Sequence, residues 1–173
     1  MSISALLHGS SIAATSWIID DQPHLRVYTQ DFNGGIRESR SDEGKWTGGT
    51  SKDVIVKAKP YSSIAALNVD GGAKVCSLAG PQASTDMLQI HVFYLNSEDF
   101  LCEIIRDASG NWSDGPLNHR KYKASPVSRL SAFGKSRSDQ MSLQHQVPSG
   151  GKKYFNPVRP NYSQKTFRSS ERG

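Results

Sequence analysis

Long apolar runs are missing from this chain of 173 residues. No stretch approaches the ~20 apolar residues that a membrane-spanning helix needs. The N-terminal MSISALLHGSS has no basic leader, and Ala5-Leu6-Leu7 is too short for a signal-peptide core. The expectation is a protein without a membrane span, cytoplasmic or exported by a route the sequence does not show. Cysteine is scarce as well. Cys76 and Cys102 are the only two, and they lack metal-like spacing and a second pair. That argues against a structural zinc site or a disulfide framework and leaves a single Cys76–Cys102 bridge open.

No His/Cys cluster and no glycine-rich phosphate loop stands out, since Gly34-Gly35 and Gly48-Gly49 read as turns. No cofactor or metal is expected. A glycosidase needs two facing carboxylates. Glu38 and Asp42 can be nominated, but nothing in the sequence marks them as a pair, while Asp20-Asp21, in a polar turn read over Asp20 to His24 with Pro23, and Glu98-Asp99 read as turn residues.

Charge is present but unevenly spread. Residues 1–133 hold 13 Lys/Arg against 14 Asp/Glu, a net −1, whereas residues 134–173 hold 8 against 2, a net +6. The basic balance therefore belongs to the C-terminal segment. That segment is rich in Ser, Lys, Arg, Gln and Pro, and poor in large apolar side chains. Its composition suggests a disordered basic tail over 134–173, unable to offset its ordering entropy by burial. Lys152-Lys153-Tyr154-Phe155 and Arg159 could attract nucleic acid non-specifically, but a solvated basic end is the simpler reading.

The rest of the chain is organised around Leu25 to Trp46, LRVYTQDFNGGIRESRSDEGKW. It reads as a strand, a tight turn at Asn33-Gly34-Gly35, a returning strand, a polar loop and a tryptophan. Arg26 and Glu38 are polar residues inside strand-like segments. The plan recurs over Leu88 to Trp112, LQIHVFYLNSEDFLCEIIRDASGNW. Arg26 aligns with His91, Glu38 with Glu103 and Trp46 with Trp112, at offsets of 65, 65 and 66 residues. The segment Ser11-Ile12-Ala13-Ala14 also returns as Ser63-Ile64-Ala65-Ala66, and more loosely around Leu130-Ser131-Ala132. Recurrence at this scale indicates stacked units, and three or four short strands per unit is the size of a propeller blade. The expected fold is all-β: a partial β-propeller over residues 10–133, with blade 1 at about 10–60, blade 2 at about 61–122 and a single strand of a third at 123–133.

SIAATSW, LRVYTQDFNGGIRES, GKWTGGTSKDVI and AKPYSSIAAL together resemble the fungal fucose-specific lectins of the Aleuria lectin type. The resemblance implies a six-bladed propeller that binds L-fucose of fucosylated glycans between neighbouring blades, without metal and without catalysis. It implies that Arg26 and Glu38 supply the polar contacts, with Leu88 and Trp112 from the next blade covering the sugar. Arg106 falls where the family usually has a tyrosine. Trp46 would serve a pocket toward a preceding blade, and His91 and Glu103 would belong to a second pocket, with His91 in place of the expected arginine. Two blades cannot close a ring, so three chains are expected to assemble into six blades. The alternatives are a truncated, non-functional fragment and a propeller-type glycoside hydrolase.

These residue types suit a deoxyhexose. An arginine fork donates to several hydroxyls, a carboxylate accepts from them, and aromatic and aliphatic side chains cover the methyl and C–H surface. Side chains alternate along a strand, so Arg26 and Glu38 share a face only if the loop between the paired strands has an odd length. A three-residue loop meets the condition and would set Glu38 opposite Gln30.

Overall fold

A computed structural model describes residues 6–70, 88–125, 127–134, 141–146 and 152–155. They form three antiparallel sheets. The first contains β1 (Ala13–Ile19), β2 (Gln22–Gln30), β3 (Gly35–Asp42) and β4 (Lys45–Gly48) in sequential order, with β5 (Val54–Lys57) also paired to β3. The second runs β6 (Ala65–Asp70), β7 (Leu88–Leu95), β8 (Leu101–Arg106), β9 (Trp112–Asp114), followed by a short 3-10 helix at Pro116–Arg120. The third is β10 (Leu130–Gly134), β11 (Met141–Gln146) and β12 (Lys152–Phe155).

Turn chemistry explains the hairpins. Asp20-Asp21 and Glu43-Gly44 are two-residue turns with positive φ at both positions, the twist that joins adjacent strands without splaying them. The longer hairpin turn is built twice. Asp31 Oδ1 accepts from the amides of Asn33 and Gly35, and Asn96 Oδ1 accepts from those of Glu98 and Phe100. The same loop thus recurs 65 residues on, with Gly34 and Asp99 taking the left-handed position.

The sheets stack face to face, with β1 beside β6 and β6 beside β10 at their inner edges. Tyr28 and Ile36 from the first sheet pack on Ile64, just before β6, and on Ile90, Val92 and Ile104 of the second sheet. The second sheet's other face carries Leu67, Phe93, Leu95 and Leu101, covered by Leu117 and Ala124 and by Leu130 and Ala132 of the third sheet. β7 is buried on both faces, which is why IHVFYL reads as a nearly continuous apolar run. Thr15 Oγ1 donates to Asn68 Oδ1 at 2.6 Å, tying the first sheet to the second. Arg37 is buried and ion-paired to Asp31 at 2.7 Å, anchoring the first hairpin turn.

Three sequence expectations change. The third unit is a sheet rather than a lone strand, because residues 141–146 and 152–155 pair with β10 and with each other. Met141 and Leu143 alternate with Ser142 and Gln144, a period-two pattern hidden by the polar composition around it. Pro23 and His24 lie within β2 rather than in a turn. Glu38 stands opposite Tyr28, not Gln30, because Gln30 pairs with Ile36 and the enclosed loop holds five residues rather than three. The loop is still odd in length, so Arg26 and Glu38 do share a face. Cys76 lies outside the described residues, and Cys102 is a buried free thiol whose burial raises its pKa.

Candidate functional site

Between the first and second sheets opens a cleft of about 240 Å³. Glu38 and Arg40 enter it from β3, Val54 and Ile55 from β5, and Lys52 and Asp53 from the loop before β5. The second sheet contributes Arg106, Gly110 and Trp112. Glu38, Trp112 and Arg106, expected from sequence to surround one ligand, therefore do meet. Arg106 and Trp112 are cross-strand partners, so one register places both on the wall facing Glu38.

Arg26 sits beside Glu38 rather than on the cleft wall. It is 5% exposed, with its guanidinium 4.9 Å from the Trp17 ring centre. Nη1 and Nη2 donate to the two Asp42 carboxylate oxygens at 2.8 and 3.2 Å. Nε lies 3.2 Å from Glu38 Oε1, an ion-pair distance, but not aligned as a hydrogen bond. Both atoms are buried and lack a hydrogen-bond partner among the described residues. The Tyr28 hydroxyl is a third such atom, and the Tyr28 ring meets Trp112 edge-on at 6.2 Å.

The electrostatics follow from this arrangement. Burial raises the pKa of Glu38, against the opposing pull of Arg106, Arg26 and Arg40. Burial also raises that of Tyr28. Burial would raise Asp42 too, but hydrogen bonds from Arg26 and His24 outweigh it and hold that carboxyl below its usual range. The chain thus carries a carboxylate that is costly to keep charged, beside a cation whose terminal nitrogens are engaged elsewhere.

The second unit does not repeat this opening. His91 and Glu103 occupy the equivalent places, but His91 Nδ1 is 2.8 Å from Glu103 Oε1, and the Leu117 amide donates to Glu103 Oε2 at 3.2 Å. Glu103 is fully buried. The difference lies in the chain after the outer strand. In the first unit it swings away through Thr50–Asp53. In the second the 3-10 helix folds Leu117 over the carboxylate. Trp46 is exposed at the outer edge of the first sheet, away from the Glu38 cleft. Leu88 begins β7 and pairs with Asp70; its backbone alone is described.

Sequence reasoning missed Arg40 and Lys52. Arg40 was legible in principle, since it lies two residues beyond Glu38 on one strand and so shares its face. Lys52 and Asp53 had no such signal, because a loop brings them in.

Comparison with known proteins identifies the family and the fold. The fungal fucose-specific lectin family matches residues 6–149. A fucose-specific lectin of Arthroderma benhamiae is 38% identical over 131 residues, 75% of this chain and 33% of the relative. One of Aleuria aurantia is 36% identical over 128 residues, 73% of this chain and 36% of the relative. The chain thus spans about a third of the length of these curated relatives. Among solved structures, the six-bladed β-propeller of the Aleuria aurantia lectin superposes with a TM-score of 0.63 at 30% identity, covering 88% of this chain and 50% of that one. A mutant of the same lectin in complex with α-methyl-L-fucoside gives the same values. The all-β architecture is therefore that of part of a β-propeller, and the chain belongs to the fungal fucose-specific lectin family.

Proposed function

We propose that the chain is a lectin that binds L-fucose of fucosylated glycans in the cleft between its first two sheets, without turnover. One observation carries the reading: Glu38 Oε1 and Arg26 Nε are buried side by side with their hydrogen bonds unmade. A buried polar atom left unpaired costs about 1–3 kcal/mol. Such a cost is reasonable where a ligand completes the bonds. Glu38, which lines the cleft, accepts from sugar hydroxyls, and Arg26, off the cleft wall, supplies positive charge beside it. Trp112 covers the methyl and C–H side. Leu88, at the start of β7, is the second apolar contact that the family resemblance implies.

A hydrolase reading fits less well. Glu38 and Asp42 do have pKa values pushed in opposite directions. Arg26, however, stands between them and contacts both, in the space a scissile bond would need.

The second part of the proposal concerns assembly. Ile64 is 4% exposed against the first sheet, whereas its repeat partner Ile12 is 68% exposed. Trp112 is half-buried in the cleft, whereas its counterpart Trp46 is 57% exposed. The first sheet's outer face thus carries the residues of a blade contact, with no blade against it among the described residues. A second copy of this chain is the occupant that fits, and Trp46 would then close a pocket on that copy. With three sheets per chain, two copies would supply six, in place of the three copies expected from sequence.

Calorimetry with methyl α-L-fucoside tests the binding, and light scattering tests the assembly. Saturable binding by a dimer is the expected result. A protein that ignores the fucoside in any oligomeric state would overturn the lectin reading.

A further inference from the structure

We propose that the cleft prefers a fucoside bearing an anion: a sulfate ester on the deoxyhexose, or a carboxylate on the sugar linked to it. The inference rests on the fucose reading above and narrows its ligand class.

Three cations line the cleft: Arg40, Lys52 and Arg106. Among the described residues, none of the three side chains makes a close ion pair or a hydrogen bond, although Arg106 and Arg40 act on Glu38, and Arg40 on Asp53, at longer range. Two carboxylates share the cleft with them, Glu38 and Asp53. Asp53 keeps its charge, its pKa held down by Thr50 and by the pull of Arg40, but one of its oxygens is already engaged. Its Oδ2 accepts from the Thr50 amide at 2.9 Å and from the Thr50 hydroxyl at 2.5 Å. Glu38 is the one acceptor facing the sugar hydroxyls and already has Arg26 at its side. Three positive groups therefore face two carboxylates, Glu38 and Asp53, and the cleft keeps an excess of one positive charge. A neutral sugar leaves that excess unanswered, while an oxyanion offers two or three acceptor oxygens to it.

The placement of the cations suits such a group. Arg40 shares the Glu38 face of β3, and Arg106 faces it across the cleft from β8. The Arg106 guanidinium lies against the turn after β8, where a Cβ at Gly110 would stand 3.0 Å from Nη2. Two guanidinium forks on opposite walls can grip one oxyanion, a geometry that favours planar, multidentate recognition.

The test uses calorimetry on the full chain with three probes: methyl α-L-fucoside, its monosulfate esters, and a fucosylated glucuronic acid disaccharide. An anionic probe should bind roughly two- to fivefold more tightly than the neutral fucoside for each cation it reaches. The advantage should shrink at high salt. The anionic-to-neutral affinity ratio should fall toward one in Arg106→Gln and in Lys52→Gln. Whichever probe shows the gain identifies where the anion sits. If the neutral fucoside binds and neither anionic probe gains, this inference is overturned and the lectin reading stands. A gain that survives both substitutions and high salt overturns it equally, because the anion is then held elsewhere. If no probe binds, the lectin reading fails and this one with it.

Discussion

Replacing Glu38 with glutamine should separate the binding site from the fold. Glu38 is buried, and its Oε1 lies 3.2 Å from Arg26 Nε with no hydrogen bond made. Gln keeps the shape and removes the charge. In the bound state, each sugar hydroxyl then meets a neutral acceptor in place of a carboxylate. Bonds to charged groups contribute about 1.5–3 kcal/mol and neutral ones about 0.5–1.5, so the loss is about 1 kcal/mol per hydroxyl. Two hydroxyls make roughly 2 kcal/mol, or about thirtyfold in Kd. Stability should behave differently. Burial raises the Glu38 pKa because the folded protein disfavours this charge, and Arg26 keeps Asp42 as a partner after the change. Removing a costly buried charge is then neutral or mildly stabilising, within about 1 kcal/mol. Calorimetry with methyl α-L-fucoside and urea unfolding of the same preparations give both numbers. Unchanged affinity would refute Glu38 as a contact. A drop in stability of about 2 kcal/mol or more, in step with lost binding, would make Glu38 a structural residue instead.

Fucoside affinity should fall as pH drops, and the fall should begin above the ordinary glutamate value of 4.5, because the raised Glu38 pKa brings protonation early. The stability term has the opposite sign: Glu38 holds its proton more tightly folded than unfolded, so its contribution to folding falls as pH rises from 4.5 through the raised folded value. Calorimetry and urea titrations across that range separate the two. Trp112→Ala should weaken fucoside binding roughly tenfold by removing the aromatic wall, and Trp112→Phe should weaken it less, as read by calorimetry. Asp31→Ala should cost about 3 kcal/mol or more in urea unfolding, since it takes the paired carboxylate from buried Arg37 and the acceptor from two turn amides. Gly34→Ala should destabilise the hairpin as well, because φ is +78° there and a Cβ would meet the Ala58 carbonyl oxygen at 2.5 Å.

Much of this was legible in the residues alone. The repeat was readable in Arg26 and His91, Glu38 and Glu103, and Trp46 and Trp112, because each blade needs the same hairpin; the structure adds that Asp31 and Asn96 build its turn at the same spacing. Local backbone geometry is written in local residues, and period-two alternation puts Arg26 and Glu38 on a common face. The family resemblance implied a pocket of Arg26, Glu38, Leu88 and Trp112, with Arg106 in a tyrosine's place; of these, Glu38, Arg106 and Trp112 line the cleft.

Tertiary structure decided the rest. Equivalent residues met unequal fates: Glu38 opens into a cleft, while Glu103 is sealed by His91 and the Leu117 amide. The difference comes from how the chain leaves the outer strand. Arg26 looked like a free donor, but Asp42, on the neighbouring strand and at the far end of β3 from the hairpin turn, holds its fork. The strands at 141–146 and 152–155 form on a neighbour's edge, so their polar composition concealed them. A sequence lists the chemical groups and their local turns. Which charges are desolvated, and which cations face which carboxylates, depends on the packing of separate blades, and that distance along the chain is what local pattern cannot carry.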